Sequence, residues 1–235
     1  MLNKGFEYEE HIFSLMAENG FVSKEHLSKK TAGSDNTQPD MTLFLNGQNV
    51  NLEVKKSLNS QAGGTSLKYT QGNFYPVKSI EGVCLEKMNN LLDTKVKSIE
   101  DFLEFHKANT FPFSTTKKRW KNAVEKGLLK KINCRIECDS SFIESHYNRK
   151  NTYYIHIGNK GLYYMTKDIA NLGVPKLDAS VCLEIRAARN GSKLNSNGVR
   201  VCAGTLRVQA RIKDIKESLF SLENISSIER FKLVV

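Results

Sequence analysis

No stretch of this chain approaches the roughly 18 apolar residues that a membrane-spanning helix needs. The opening MLNKGFEYEE lacks the apolar run of an export signal. No membrane association and a cytoplasmic location are the resulting expectations. Cysteine is sparse, and its five positions, Cys84, Cys134, Cys138, Cys182 and Cys202, are an odd number without an export signal. That pattern favours reduced thiols over a disulfide framework. Also missing are a Walker loop, a Gly-x-Gly-x-x-Gly signature and a Ser/His/Asp arrangement, so nucleoside triphosphate hydrolysis has no support. There is no internal repeat and no long Pro/Ser linker.

What is present is an ordinary globular composition, 40% hydrophobic and 26% charged over 235 residues, enough to bury a core. The formal charge of +10 points to a polyanionic partner. Its distribution is uneven: residues 1–60 carry 6 Lys/Arg against 8 Asp/Glu, and the remainder carries 29 against 17. An acidic patch therefore sits inside a basic protein.

Residues 6–19 place Phe6, Ile12, Phe13 and Met16 on one helical face, with Asn19-Gly20 as a stop. A polar loop through Lys29–Asn36 leads into strands. Residues 84–107 have the apolar spacing of one or two helices, and 117–131 that of another, broken near Gly127. Further on, NTYYIHIG, LYYMT, SVCLEIRAAR, VRVCAGTLRVQARI and FKLVV are rich in β-branched and aromatic residues, and predict a second, largely antiparallel sheet.

The most informative segment is 40–55. Asn46-Gly47 suits a two-residue type I′ turn, because both central positions need positive φ. That turn pairs Leu45 with Gln48 and so sets Asp40 opposite Glu53, with Cβ atoms roughly 5 Å apart. Met41, Leu43, Leu45, Val50, Leu52 and Val54 then share a core face, while Asp40, Glu53 and Lys55 share the other. Two adjacent carboxylates repel unless a cation compensates them. Their oxygens favour Mg²⁺, with Mn²⁺ as a substitute, and a lysine beside them suits charge developing on a phosphate.

Pro39-Asp40 followed by Glu53-Val54-Lys55 resembles the motif of the PD-(D/E)xK nuclease superfamily, the restriction-endonuclease-like fold of many restriction enzymes and Holliday junction resolvases. Gly5 and Glu9 match the Gly and Glu that often open that fold. Gln71 and Tyr75 match a Gln-x-x-x-Tyr element of one of its branches, where it lies on a helix. The resemblance implies that Asp40, Glu53 and the Val54 carbonyl bind the metal, with Glu9 as an outer ligand. It gives Lys55 the role of positioning or deprotonating the attacking water. The plainer alternative is an exposed acid pair softened by lysine, and for Glu9 an acid favoured by a helix start.

The run Lys117, Lys118, Arg119 and Lys121, beside Trp120, suits a phosphate-tracking surface, or merely a solvated helix face. Arg186, Arg189 and Lys193 flank the Gly/Ser/Asn-rich loop 190–198, which suits a hairpin tip that probes DNA, or simply a loop. Cys134, Cys138, His146 and His156 are too loosely spaced for zinc and read better as structural residues.

The expectation is an α/β protein with a restriction-endonuclease-like core, a central mixed β-sheet flanked by helices, and a basic β-rich C-terminal extension. The core is assigned to residues 1–110 and the substrate-binding region to 111–235. The function expected is Mg²⁺-dependent DNA endonuclease, site-specific or resolvase-like, acting as a homodimer. The alternative is a non-catalytic nucleic-acid-binding protein that uses the basic C-terminal half.

Overall fold

A computed structural model describes residues 4–22, 38–78, 80 and 83–224. The expected loop at 29–36 and the FKLVV strand lie outside them. Helix α1 (Lys4–Glu18) precedes strands β1 (Met41–Leu45), β2 (Gln48–Lys55), β3 (Gln61–Thr70) and β4 (Asn73–Pro76). Helices α2 (Val83–Asp93) and α3 (Val96–His106) lead to β5 (Thr110–Phe111) and β6 (Phe113–Thr116). Then come α4 (Lys117–Glu125), α5 (Leu128–Ile132), β7 (Cys134–Cys138) and α6 (Ser141–Asn148). The described chain closes with β8 (Thr152–Ile157), β9 (Gly161–Tyr164), β10 (Ala179–Leu194) and β11 (Arg200–Ile215). It is a mixed α/β protein with two sheets, and none of its described helices is long and apolar enough to cross a membrane.

The chain divides into two compact units. The first comprises residues 1–62, 139–181 and 211–235, and the second comprises 63–138 and 182–210. The first contains a four-stranded mixed sheet in the order β1-β2-β8-β9. Strands β1 and β2 form the expected hairpin: Leu45 pairs with Gln48 and Met41 with Leu52, and Asn46 and Gly47 have φ of 48° and 77°. Met41, Leu43, Leu45, Val50, Leu52 and Val54 are all buried, each worth on the order of 2 kcal/mol as apolar surface removed from water. Ile12 and Met16 of α1 pack into the same core. Gly20, at φ 76°, ends that helix, with Phe21 N–H donating to the Met16 carbonyl and Gly20 N–H to that of Ala17.

Strand β8 pairs with β2 in parallel, Glu53 beside Ile155 and Val54 beside His156, and β9 adds antiparallel to β8. This corrects the sequence reading, which grouped NTYYIHIG and LYYMT with the C-terminal sheet. A parallel neighbour needs a crossover. Here the chain between Lys55 and Thr152 contains residues 63–138, most of the second unit, so no local signal marks the partner.

The second unit contains most of a seven-stranded sheet in the order β4-β3-β11-β10-β7, with β5 on β3 and β6 on β11. Helices α2 and α3 fulfil the expectation for 84–107, and Gly127, at φ 70°, separates α4 from α5. Phe102 lies at the centre of an aromatic cluster with Phe111, Phe113, Trp120 and His106. Gln71 and Gly72, at φ 50° and 80°, turn the β3–β4 hairpin, so the Gln-x-x-x-Tyr segment is not helical. Both residues accept the left-handed turn that a two-residue hairpin requires.

Candidate active site

The N-terminal hairpin, α1 and α6 bring one charged cluster together within the first unit. Asp40 lies one residue ahead of β1, and its Oδ2 accepts the Val54 N–H at 2.9 Å. The carboxylate is thereby fastened to the neighbouring strand. Lys55 Nζ stands 3.5 Å from Asp40 Oδ2 and 2.5 Å from Glu53 Oε1. Thr42 donates to Asn51 at 2.8 Å, a cross-strand bond between register partners on the same face.

Glu53 is 4% exposed, an unusual place for a carboxylate. Tyr147, buried on α6, donates its hydroxyl to Glu53 Oε1 at 2.9 Å. The other oxygen, Glu53 Oε2, is buried without a hydrogen-bond partner, and so is Glu9 Oε2. Buried acceptors of this kind are expensive unless a cation or donor meets them.

The electrostatics agree. Burial pushes the Glu53 carboxyl up, with Lys55 pulling it back down and Asp40 adding to the rise. Glu9 on α1 is pushed up to about 7, first by burial and then by Asp40, against the opposing pull of Lys55. Burial lowers the Lys55 ammonium, but Glu53 and Asp40 outweigh that and hold it above its ordinary value. Tyr147 stays a phenol because burial and the neighbouring carboxylates raise it. Three acids thus share one neighbourhood with a single close ammonium, and Lys150 contributes attraction to Glu53 from farther off.

Among the described residues, no group of three or more His, Cys, Asp or Glu side chains is disposed to hold a metal ion. In this arrangement the Lys55 ammonium is the cation the acids meet. The donors nevertheless fit Mg²⁺ or Mn²⁺ in kind: all are oxygens, and two are buried carboxylate oxygens with no partner. Val54 contributes its N–H to Asp40, and its carbonyl remains a candidate ligand on the resemblance alone.

The other candidates lie in the second unit. Lys117, Lys118 and Lys121 are exposed along α4. Arg119 instead turns inward, donating to the Phe105 carbonyl and lying 5.4 Å from the centre of that ring. Arg186 donates to Gln209 at 2.8 Å, whereas Arg189 and Lys193 are exposed. None of the five cysteines forms a disulfide, and burial raises the Cys134 and Cys202 thiols. The sequence reading passed over Tyr147 entirely. Its only local signal is the apolar spacing of Ile143 and Tyr147, which marks a buried helix face and not a partner.

Comparison with known protein families, curated proteins and solved structures gave no match.

Proposed function

We propose that the protein is a divalent-metal-dependent endonuclease of the PD-(D/E)xK type that hydrolyses DNA. The observation that carries this reading is the pair of buried, partnerless oxygens, Glu53 Oε2 and Glu9 Oε2, beside Asp40 and Lys55. Asp40, Glu53 and Glu9, with the Val54 carbonyl, would hold Mg²⁺ or Mn²⁺. Such an ion polarises a phosphate and lowers the pKa of a bound water. Tyr147 fixes the Glu53 side chain through Oε1, and the Val54 N–H fixes Asp40. Lys55 stays cationic and supplies positive charge next to the phosphate.

Cleavage of both DNA strands calls for two such sites, so a homodimer is part of the proposal. The alternative, a nucleic-acid-binding protein without catalysis, is favoured by one observation: Lys55 is already ion-paired with both Asp40 and Glu53. The separating experiment incubates the protein with supercoiled plasmid and with a four-way junction in Mg²⁺, beside Glu53→Gln and an EDTA control. Discrete plasmid bands indicate a site-specific enzyme, and symmetric junction nicks indicate a resolvase. Intact substrates with equal binding by both proteins would sink the nuclease reading.

A further inference from the structure

Between Glu184 and Asp214 the chain carries no acid, yet the part of it in the second unit holds Arg186, Arg189, Lys193, Arg200 and Arg207. Strands β10 and β11 continue beyond the point where β6 ends its pairing at Val201. Residues 191–200 are all exposed, and the turn from Leu194 to Arg200 extends past the last β6 pair. Beyond that level only the turn Leu194–Arg200 is free, and at about 3.3 Å per residue Leu194–Ser196 reach roughly 10 Å.

The tip is built rather than slack. Asn195 N–H donates to the Val199 carbonyl at 2.9 Å. Asn195 Oδ1 accepts the amides of Asn197 at 3.1 Å and Val199 at 2.9 Å. Gly198, at φ 69°, completes the reversal. Two aliphatic side chains flank this turn in water, Leu194 at 61% exposure and Val199 at 44%. Leu194 and Val199, held out on a cationic turn, take no part in the fold's own core and are free to make apolar contacts with a partner.

We propose that this ribbon is a DNA-gripping arm that enters the major groove of a duplex. Arg189, Lys193 and Arg200 meet phosphates on its two walls, and Leu194 and Val199 rest against thymine methyls and base edges. A major groove about 12 Å wide and 8.5 Å deep admits a two-stranded ribbon of this reach. The proposal rests on the nuclease reading for its choice of DNA as the polymer. A cleft of about 590 Å³, lined by Pro112, Ser114, Asn190 and Ala203, lies at the foot of the ribbon.

The test is fluorescence anisotropy of the full chain with a labelled 20-base-pair duplex in EDTA, across a salt series. Replacing Arg189, Lys193 and Arg200 with Gln together should weaken binding at least 10-fold and flatten the log Kd against log salt slope by about 2.7, three lost phosphate contacts at about 0.9 each. Leu194→Ser with Val199→Ser should weaken binding several-fold and leave the slope unchanged. An unchanged slope in the triple variant overturns the proposal. So does equal competition by polyglutamate, which would mean a general cation patch, or by single-stranded RNA, which would mean another polymer. Because EDTA removes catalysis from the readout, the two readings fail separately. Wild-type protein that never cleaves, with arm variants that still lose binding, defeats only the nuclease; wild-type cleavage with binding unchanged in the arm variants defeats only the arm.

Discussion

Tyr147 on α6 donates its phenolic proton to Glu53 on β2 at 2.9 Å, across 94 positions of sequence. The bond holds one carboxylate oxygen and leaves the other, Glu53 Oε2, as the buried acceptor without a partner. Tyr147→Phe removes the phenolic oxygen and changes little else in size. The expected loss is about 2 kcal/mol in folding stability, the usual worth of a buried bond to a charged group. Cleavage should fall on the order of 10-fold as Glu53 loses its fixed position. Urea titration and plasmid nicking read the two effects.

Lys55 is the compensating charge for Asp40 and Glu53. Lys55→Met keeps most of the volume and leaves both acids unbalanced, which should cost about 3 kcal/mol without divalent ions. Added Mn²⁺ should then raise the melting temperature of the variant more than that of the wild type, because an ion held by these acids would stabilise the folded form. Plasmid cleavage should drop by on the order of 10²-fold. Thermal melts with and without Mn²⁺ check the first two statements.

Gly158 follows β8 where it lies against β2, and its N–H donates to the Lys55 carbonyl at 2.8 Å. A Cβ there would fall 2.2 Å from the Lys56 carbonyl oxygen and 2.7 Å from the Tyr8 hydroxyl. Gly158→Ala should therefore push the strand pair apart, at about 3 kcal/mol or more. Gly173→Ala is the control: its φ of +69° is strained for alanine but nothing crowds the new methyl, so about 1 kcal/mol is expected. Comparative chemical denaturation ranks the two.

His156 is fully buried, with Nε2 accepting the Leu222 N–H at 3.3 Å and Nδ1 facing the Tyr8 hydroxyl at 3.5 Å. Burial lowers its pKa from 6.5 to about 4, although Glu223 opposes the shift. Because the folded value lies below the unfolded one, the unfolded chain takes up a proton that the fold refuses. The contribution is level above pH 6.5 and turns destabilising as pH falls towards 4, by roughly 3 kcal/mol in total. His156→Gln retains an acceptor for Leu222 and should flatten that part of the stability curve. The imidazole resonances of the wild type should stay at their neutral positions down to about pH 5, as NMR will read directly.

The sequence by itself determined the hairpin and much of the local framework. Asn46-Gly47 admits the positive φ of a type I′ turn, and strict alternation of apolar residues fixes which face is buried; the register runs out to Met41 opposite Leu52, and Asp40, one residue beyond, is tied to β2 through the Val54 N–H. Helix α1 with its Gly20 stop and the break at Gly127 were legible for the same reason: each depends on neighbours a few residues away. Tertiary structure alone decided the parallel placement of β8 beside β2, the arrival of Tyr147 at Glu53, and the inward turn of Arg119 that takes it out of the exposed basic row. Those outcomes depend on contacts between residues far apart in the chain, whose energies come from packing and burial. Short-range periodicity records that a side chain is buried but not which side chain it meets.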